Sequence, residues 1–84
     1  MYKIAYSKTA LKQLRRLPTN IQKRLRQKIV LYAEDPQSKA HHVTKLQGRE
    51  GYRLRVGDWR VIFDINGTVL AIFEIGARGT IYKD

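Results

Sequence analysis

GYRLRVGDWRVIF, residues 51–63, predicts two β-strands joined by a tight turn. Successive side chains of a strand point to opposite faces, so the arginines and the apolar residues of this stretch lie on different faces. Gly57-Asp58 is a two-residue hairpin signal, because glycine adopts the positive φ that the first turn position needs. The turn pairs Arg55 with Arg60, and two guanidinium groups directly opposite each other weaken a sheet when nothing negative lies between them. The missing counter-charge points to a binding face.

A second hairpin signal, Asn66-Gly67, extends the pair to a three-stranded meander. A turn centred on these two residues pairs Phe63 with Leu70 and Arg60 with Phe73. One face of the meander is then apolar and needs an apolar cover: Leu54, Val56, Trp59, Val61, Phe63, Ile65, Leu70 and Ile72. The other face, named here the arginine face, is interpreted as the functional one: Arg53, Arg55, Arg60, Ile62, Asp64, Val69, Ala71, Phe73 and Ile75.

Length and composition restrict the class of protein. Eighty-four residues predict a single domain, residues 1–84, with one modest core. The chain has no cysteine, which excludes a disulfide framework and a thiolate metal site. Its longest apolar runs have five residues, far short of a membrane span or a secretory signal. We therefore expect a cytoplasmic protein without a membrane partner.

The charge is strongly basic and unevenly distributed. Seventeen Lys and Arg against seven Asp and Glu give a net charge of +10, and residues 1–33 contain nine basic residues and no acidic one. Such a segment repels itself and attracts polyanions at long range. Nucleic acid or an acidic protein is the expected partner, and a basic protein without a polyanionic partner is the alternative.

The amino-terminal part predicts one strand and two helices. Residues 2–6 alternate as a strand, and Ser7 can cap a first helix that Pro18 ends. Thr19 followed by Gln22 forms a capping-box pattern for a second helix. The basic residues of both helices are expected to remain exposed: Lys12, Arg15, Arg16, Lys23, Arg24 and Arg26.

The second helix is expected to end at Asp35-Pro36, because a residue before proline is disfavoured in helical geometry. Residues 37–50 then form a connector that is either a functional loop or contains an edge strand. The predicted fold class is α+β, with two N-terminal antiparallel helices packed on one face of a small, mainly antiparallel β-sheet.

Three segments together carry a resemblance to a known family: residues 45–48 (KLQG), residues 51–63 and residues 75–82 (IGARGTIY). In a β-α-α-β-β-β chain, they resemble the RelE/ParE superfamily of bacterial and archaeal type II toxins, over essentially the whole length. The RelE branch implies a small α+β nuclease that enters the ribosomal A site and cleaves messenger RNA there. It also implies a neighbouring acidic antitoxin that holds the toxin inactive.

By matching positions, the resemblance implies five catalytic residues: Arg53, Arg55, Arg60, Arg78 and Tyr82. Attack of a 2′-hydroxyl on phosphorus needs positive groups around the phosphoryl oxygens, and arginines bind a phosphate bidentately. Arg78 would lie near the leaving 5′-oxygen, and Tyr82 would stack on a base or orient the 2′-hydroxyl. The sequence offers no carboxylate cluster for Mg²⁺ and no convincing histidine pair, so we expect no metal and no small-molecule cofactor.

The general base is where this sequence departs from the best-known RelE pattern. There, the residues matching Arg53 and Arg55 are lysines, and one of them is thought to act as the base. Arginine keeps its proton at any ordinary pH, so Arg55 is a poor base. It is expected to position the 2′-hydroxyl while water, the RNA or the ribosome accepts the proton.

The connector supplies the remaining candidates. Lys45 and Arg49, together with the exposed helix cations named above, are expected to contact the backbone of messenger or ribosomal RNA. His41 and His42 are interpreted as ordinary loop residues, because adjacent side chains point in different directions. Some relatives place a histidine just before the terminal tyrosine, but this chain has Ile81 there.

Three functions from different classes follow from these observations. The first is a ribosome-dependent endoribonuclease, and the second is a ParE-like inhibitor of DNA gyrase with the same fold. The third is a non-catalytic member that binds nucleic acid or an antitoxin. Arg78 with Tyr82 favours the nuclease, whereas arginines at positions where lysine is chemically more capable count against it.

Overall fold

The computed structural model describes residues 1–37 and 42–77. Its elements are β1 (Lys3–Tyr6), α1 (Lys8–Arg15), α2 (Thr19–Glu34), β2 (Val43–Lys45), β3 (Tyr52–Val56), β4 (Trp59–Asn66) and β5 (Val69–Ala77). The strands form one sheet in the order β1-β5-β4-β3-β2, with β1 parallel to β5 and every other pair antiparallel. This confirms the predicted α+β class. No helix in the described ranges is long and apolar enough to cross a membrane.

Both helices cover the same face of the sheet. The core contains Ala10, Leu14, Leu25, Ile29, Tyr32 and Ala33 from the helices, and Leu54, Val56, Val61, Phe63, Leu70, Ile72 and Ile75 from the strands. The Phe63 ring lies at its centre, with ring centroids 5.2 Å from Tyr32 and 5.6 Å from Tyr52. Trp59 packs against the core, as predicted. Burial of these apolar side chains is the main stabilising contribution of the fold.

Ser7 caps α1, as the sequence predicts. The Ser7 hydroxyl oxygen accepts the backbone N–H of Ala10 at 3.0 Å, and the same hydroxyl donates to the carbonyl of Phe73 at 2.8 Å. One side chain therefore satisfies an otherwise unpaired donor at the helix start and ties the helix to β5.

The predicted capping box of α2 is wrong. Pro18 occupies the cap position, and its carbonyl accepts the backbone N–H groups of Ile21 and Gln22 at 3.0 Å each. Thr19 is already helical. The side-chain amide of Gln22 donates instead to the carbonyl of Leu17 at 2.7 Å. The reason is that α1 ends just before α2 begins, so its last carbonyls need donors from the next helix.

The first hairpin forms in the predicted register, with Arg55 opposite Arg60. Gly57 has φ 60°, the positive value expected of its turn position. The connector contains the edge strand that the sequence left open, because β2 pairs antiparallel with β3. β2 covers β3 only as far as Leu54, which leaves the end of β3 next to the turn at the edge of the sheet.

The predicted register of the second hairpin is wrong. Phe63 pairs with Ile72 rather than with Leu70, because Gly67 and Thr68 are the two central turn residues. Gly67 has φ 62°. Glycine at the first central position of the turn adopts this angle without steric cost, as Gly57 does in the first hairpin. Asn66 is therefore the last residue of β4 rather than part of the turn.

A β-bulge in β5, opposite residues 62–63, shifts the register once more. Beyond it, Ile75 pairs with Val61 and is only 2% exposed, so its assignment to the arginine face is wrong. The side-chain oxygen of Gln13 on α1 accepts the backbone N–H of Ile75 at 2.6 Å. A bulge leaves backbone groups without ladder partners, and this bond satisfies one of them. Glu74 consequently falls on the arginine face.

Candidate nucleic acid interface

The arginine face is formed by the register of three strands. One row across the sheet places Arg53 beside Ile62 and Ile62 beside Glu74. The next row places Arg55 beside Arg60. Directly opposed residues share a face, so the three sheet arginines lie together on the side opposite to the helices, as the alternation predicts.

Arg60 is held at the hairpin turn. Its Nη1 donates to the carbonyl of Gly57 at 3.2 Å and to the carbonyl of Trp59 at 3.1 Å. These two bonds fix the orientation of the Arg60 guanidinium. Arg60 therefore also contributes to the turn, which the sequence alone does not indicate.

Glu74 is a counter-charge that the sequence analysis missed. Its carboxylate lies 3.6 Å from the Arg49 guanidinium, and the two side chains are 32% and 50% exposed. Such a surface pair contributes about 0–1 kcal/mol. The bulge turns Glu74 onto the arginine face, where the alternation along β4 already places Asp64. Arg49, expected to contact RNA, pairs with a carboxylate of the protein itself.

A cavity of about 260 Å³, named here the edge cavity, lies between α2 and the end of β3. Its lining residues are Arg24, Lys28, His42, Leu54, Arg55, Val56 and Gly57. The sequence analysis missed Lys28 and His42. Lys28 follows Arg24 by four residues and so shares its helix face, a signal that was available. Nothing in the sequence places His42 there, because its position depends on how the connector passes between α2 and β3.

The other predicted contact residues are dispersed. All six helix cations are exposed, but they belong to the helix layer, and Arg24 is the one that shares a cavity with a sheet arginine. Lys12 and Arg15 line a second cavity of about 330 Å³ along α1. Lys45 pairs with Tyr52, whose ring stacks in the core, so the register assigns Lys45 to the helix side.

Arg26 lies against an aromatic ring rather than beside the sheet arginines. Its guanidinium carbon is 5.7 Å from the centroid of the Tyr6 ring, a cation–π geometry. Burial raises the pKa of the Tyr6 phenol, and the charge of Arg26 lowers it by a smaller amount. Arg26 therefore has a structural role whether or not it contacts RNA.

Arg78 and Tyr82 lie outside the described residues, as do His41 and Ile81. β5 ends at Ala77, directly before Arg78 in the sequence, and Ala77 pairs with Trp59 of β4. Within residues 1–37 and 42–77, no group of three or more His, Cys, Asp or Glu side chains is arranged to hold a metal ion.

Two helices on one face of a five-stranded sheet form the fold of a class of toxins. The model of one protein family, described as the ParE toxin of the type II toxin-antitoxin system parDE, matches residues 4–82. This chain belongs to that family, and hence to the RelE/ParE superfamily of type II toxin-antitoxin toxins. The resemblance seen in the sequence is confirmed.

Individual relatives agree with the family. Toxin RelE3 of Methanocaldococcus jannaschii is 29% identical over 87 residues, covering 95% of this chain and 94% of that protein. The archaeal RelE-RelB complex from Pyrococcus horikoshii contains a chain with 29% identity and a TM-score of 0.77, covering 94% of this chain and 97% of that one. In the Escherichia coli RelBE toxin-antitoxin complex, the matching chain is 23% identical with a TM-score of 0.75, covering 92% of this chain and 96% of that one. This similarity shows a shared fold.

Proposed function

We propose that this chain is a ribosome-dependent endoribonuclease that cleaves messenger RNA in the ribosomal A site by attack of the RNA's own 2′-hydroxyl, without a metal. The observation that carries the proposal is the cross-strand pair Arg55 and Arg60, with Arg53 in the next row of the same face. A sheet gains no stability from opposed like charges. A phosphate bound between them would offset this repulsion.

The proposed chemistry divides among the sheet arginines. Arg60, oriented by its bonds to the turn carbonyls, stabilises the charge that develops on the non-bridging phosphoryl oxygens. Arg53 and Arg55 bind the same phosphate and position the 2′-hydroxyl. The 2′-oxygen forms a bond to phosphorus while the bond from phosphorus to the 5′-oxygen breaks. Arg78 would stabilise that leaving oxygen, and Tyr82 would stack on a base.

Proton transfer is proposed to use groups other than the arginines. An arginine side chain is not deprotonated in proteins, so none of the three is a general base. The 2′-hydroxyl proton passes to water, to the RNA or to the ribosome, and the 5′-oxygen is protonated from solvent or the ribosome. This assignment explains why the toxin would depend on the ribosome, which orders both the message and the acceptor.

The proposed partners are a cognate acidic antitoxin, the ribosome and messenger RNA, and the proposed compartment is the cytoplasm. Two solved relatives are complexes of RelE with RelB. The uncompensated positive charge of residues 1–33 suits an acidic protein as well as RNA. We place the antitoxin on the helix cations and the sheet, where it would block access to RNA.

Primer extension on a messenger RNA in a purified translation system tests this proposal. The expected result is cleavage inside the A-site codon that requires both the toxin and the ribosome, and that persists in the presence of EDTA at a level that keeps the ribosomes intact. An uncut message at saturating toxin and ribosomes would contradict the proposal.

A second candidate is inhibition of DNA gyrase, because the matching family model is that of the ParE toxin. The arginines where RelE toxins use lysines also favour this candidate. A supercoiling assay with purified gyrase distinguishes the two. Accumulation of cleaved DNA with an intact message would favour gyrase, and no effect in either assay would leave the non-catalytic binding function.

A further inference from the structure

We propose that the edge cavity binds a phosphate of an RNA strand, as a second phosphate site beside the arginine face. The inference rests on the proposed function insofar as RNA is the ligand, and it adds Lys28 and His42 to the residues that bind it. The site consists of side chains from both layers of the fold, α2 and β3, whereas Arg53, Arg55 and Arg60 all come from the sheet.

The first observation is the charge of the walls. Arg24, Lys28 and Arg55 line a space of about 260 Å³, and its lining includes no Asp or Glu among residues 1–37 and 42–77. Arg24 and Lys28 are four residues apart on α2, a spacing at which like charges destabilise a helix. An anion in the cavity would relieve this repulsion and so would favour the folded state.

The second observation is that the guanidinium group of Arg24 lies close to Gly57. A Cβ atom at Gly57 would lie 2.9 Å from Nη2 of Arg24, 3.4 Å from its Cζ and 3.5 Å from its Nη1. The guanidinium group therefore lies against the hairpin turn, and a side chain at residue 57 would require it to shift. Gly57 has φ 60°, so the same residue allows both the turn and the approach of Arg24.

The third observation is that the edge cavity adjoins the arginine face. The carbonyl of Gly57 accepts a bond from Arg60, while Arg24 packs against the same residue. Arg55 lines the cavity and is also the cross-strand partner of Arg60. A strand that places one phosphate between Arg55 and Arg60 can therefore place a neighbouring phosphate at Arg24 and Lys28.

The chemistry of the walls favours a nucleic acid strand over an acidic protein. Two guanidinium groups match the bidentate geometry of a phosphate, and Lys28 adds a point charge. Leu54 and Val56 provide apolar wall next to these cations, which suits the sugar that accompanies each phosphate. A carboxylate side chain of a protein partner would fill little of this space.

The test compares two double variants of the full chain that remove the same charge. Arg24→Gln/Lys28→Gln alters the edge cavity, and Lys3→Gln/Lys8→Gln alters exposed lysines of β1 and α1 to which no RNA contact is assigned. The probe is a fluorescently labelled single-stranded RNA hexanucleotide, fully 2′-O-methylated so that it cannot cleave itself. Fluorescence anisotropy measures its Kd over a series of NaCl concentrations, and circular dichroism checks that both variants are folded.

Each phosphate contact with single-stranded nucleic acid contributes about 0.7 to the slope of log K against log salt. We expect Arg24→Gln/Lys28→Gln to lower the magnitude of the slope by about 0.7 or more, and Lys3→Gln/Lys8→Gln to keep the wild-type slope. Equal slopes in the two double variants would overturn the inference. An unchanged RNA slope with loss of binding to a polyglutamate peptide would also overturn it and would assign the cavity to an acidic protein.

This experiment separates the inference from the proposed nuclease. The RNA probe is bound without a ribosome and without cleavage, so the slope reports on the phosphate site alone. A reduced slope combined with an uncut message in the translation system would retain the edge cavity and remove the nuclease proposal. An unchanged slope combined with A-site cleavage would remove the phosphate site at the edge cavity and retain the nuclease proposal.

Discussion

The two faces of the sheet are made by the same strands and serve different purposes. On the helix side, Val61, Phe63 and Leu70 are at most 1% exposed, and the described residues bury no charged side chain. On the other side, Arg55 and Arg60 lie opposite each other, and Arg49 forms an ion pair with Glu74. Alternation along each strand lets one element stabilise the fold with one face and present arginines on the other.

The largest expected effect is on the helix side. Replacing Phe63 by Ala should lower the free energy of unfolding by about 3–5 kcal/mol, because a fully buried ring is lost and a cavity remains. Phe73 is the matched control, since the same side chain is 40% exposed and its removal should cost far less. Urea denaturation of both variants measures the difference. Equal losses would mean that the two faces do not differ in their contribution to stability.

The arginine face should show the reverse behaviour. Arg60→Ala should lower single-turnover cleavage on saturating ribosomes by on the order of 10²-fold, the effect of losing one preoriented donor. The loss of its bonds to the turn should cost only about 1 kcal/mol of stability. Lys8→Ala, an exposed cation distant from the sheet arginines in sequence, is the control. Near-wild-type cleavage by Arg60→Ala would remove Arg60 from the proposed mechanism.

The bulge joins the two faces, and its support comes from α1. Gln13→Ala should destabilise the fold by about 1–3 kcal/mol, because the N–H of Ile75 loses its acceptor in a part-buried position. It should also lower activity, since the bulge sets the register of the residues that follow. Gln27→Ala on the exposed side of α2 is the matched control. A Gln13→Ala variant as stable as Gln27→Ala would contradict this function of the bond.

A smaller effect is expected from pH. Burial, followed by the neighbouring phenols of Tyr2 and Tyr52, raises the pKa of Tyr32 above its usual value of 10.0. The unfolded chain therefore releases this proton first, and the free energy of unfolding falls as the pH rises above about 10. Tyr32→Phe removes this contribution. Between pH 9 and pH 11, the free energy of unfolding of the variant, measured by urea denaturation, should therefore rise relative to that of the wild type. Parallel pH curves would show that the phenol does not ionise differently in the two states.

What the sequence predicts and what it does not depends on the range of the interaction. The first hairpin follows from Gly57 and its neighbours alone, and the sequence places Arg55 opposite Arg60 correctly. The bulge depends on Gln13, which is 62 residues away from Ile75, and no local pattern reports that contact. The predicted register lacks the bulge, and it therefore does not place Glu74 on the arginine face.

The candidate site divides in the same way. Alternation along β3 and β4 is enough to put the sheet arginines on one face. The edge cavity requires α2 to pack beside the end of β3, so Lys28 and His42 come to line it with Arg55 only in the folded protein. The roles of Arg78 and Tyr82 remain predictions from the resemblance.

Thermal unfolding of the wild type and Arg55→Gln, in chloride and in phosphate at matched ionic strength, tests most directly whether the arginine face is built for an anion. In chloride, Arg55→Gln should have the higher Tm, because relief of the cross-strand repulsion contributes up to about 1 kcal/mol. Phosphate should raise the Tm of the wild type more than that of the variant, since the bound anion stabilises the folded state by mass action. A lower Tm for Arg55→Gln in chloride, with the same phosphate response as the wild type, would contradict this assignment of the face.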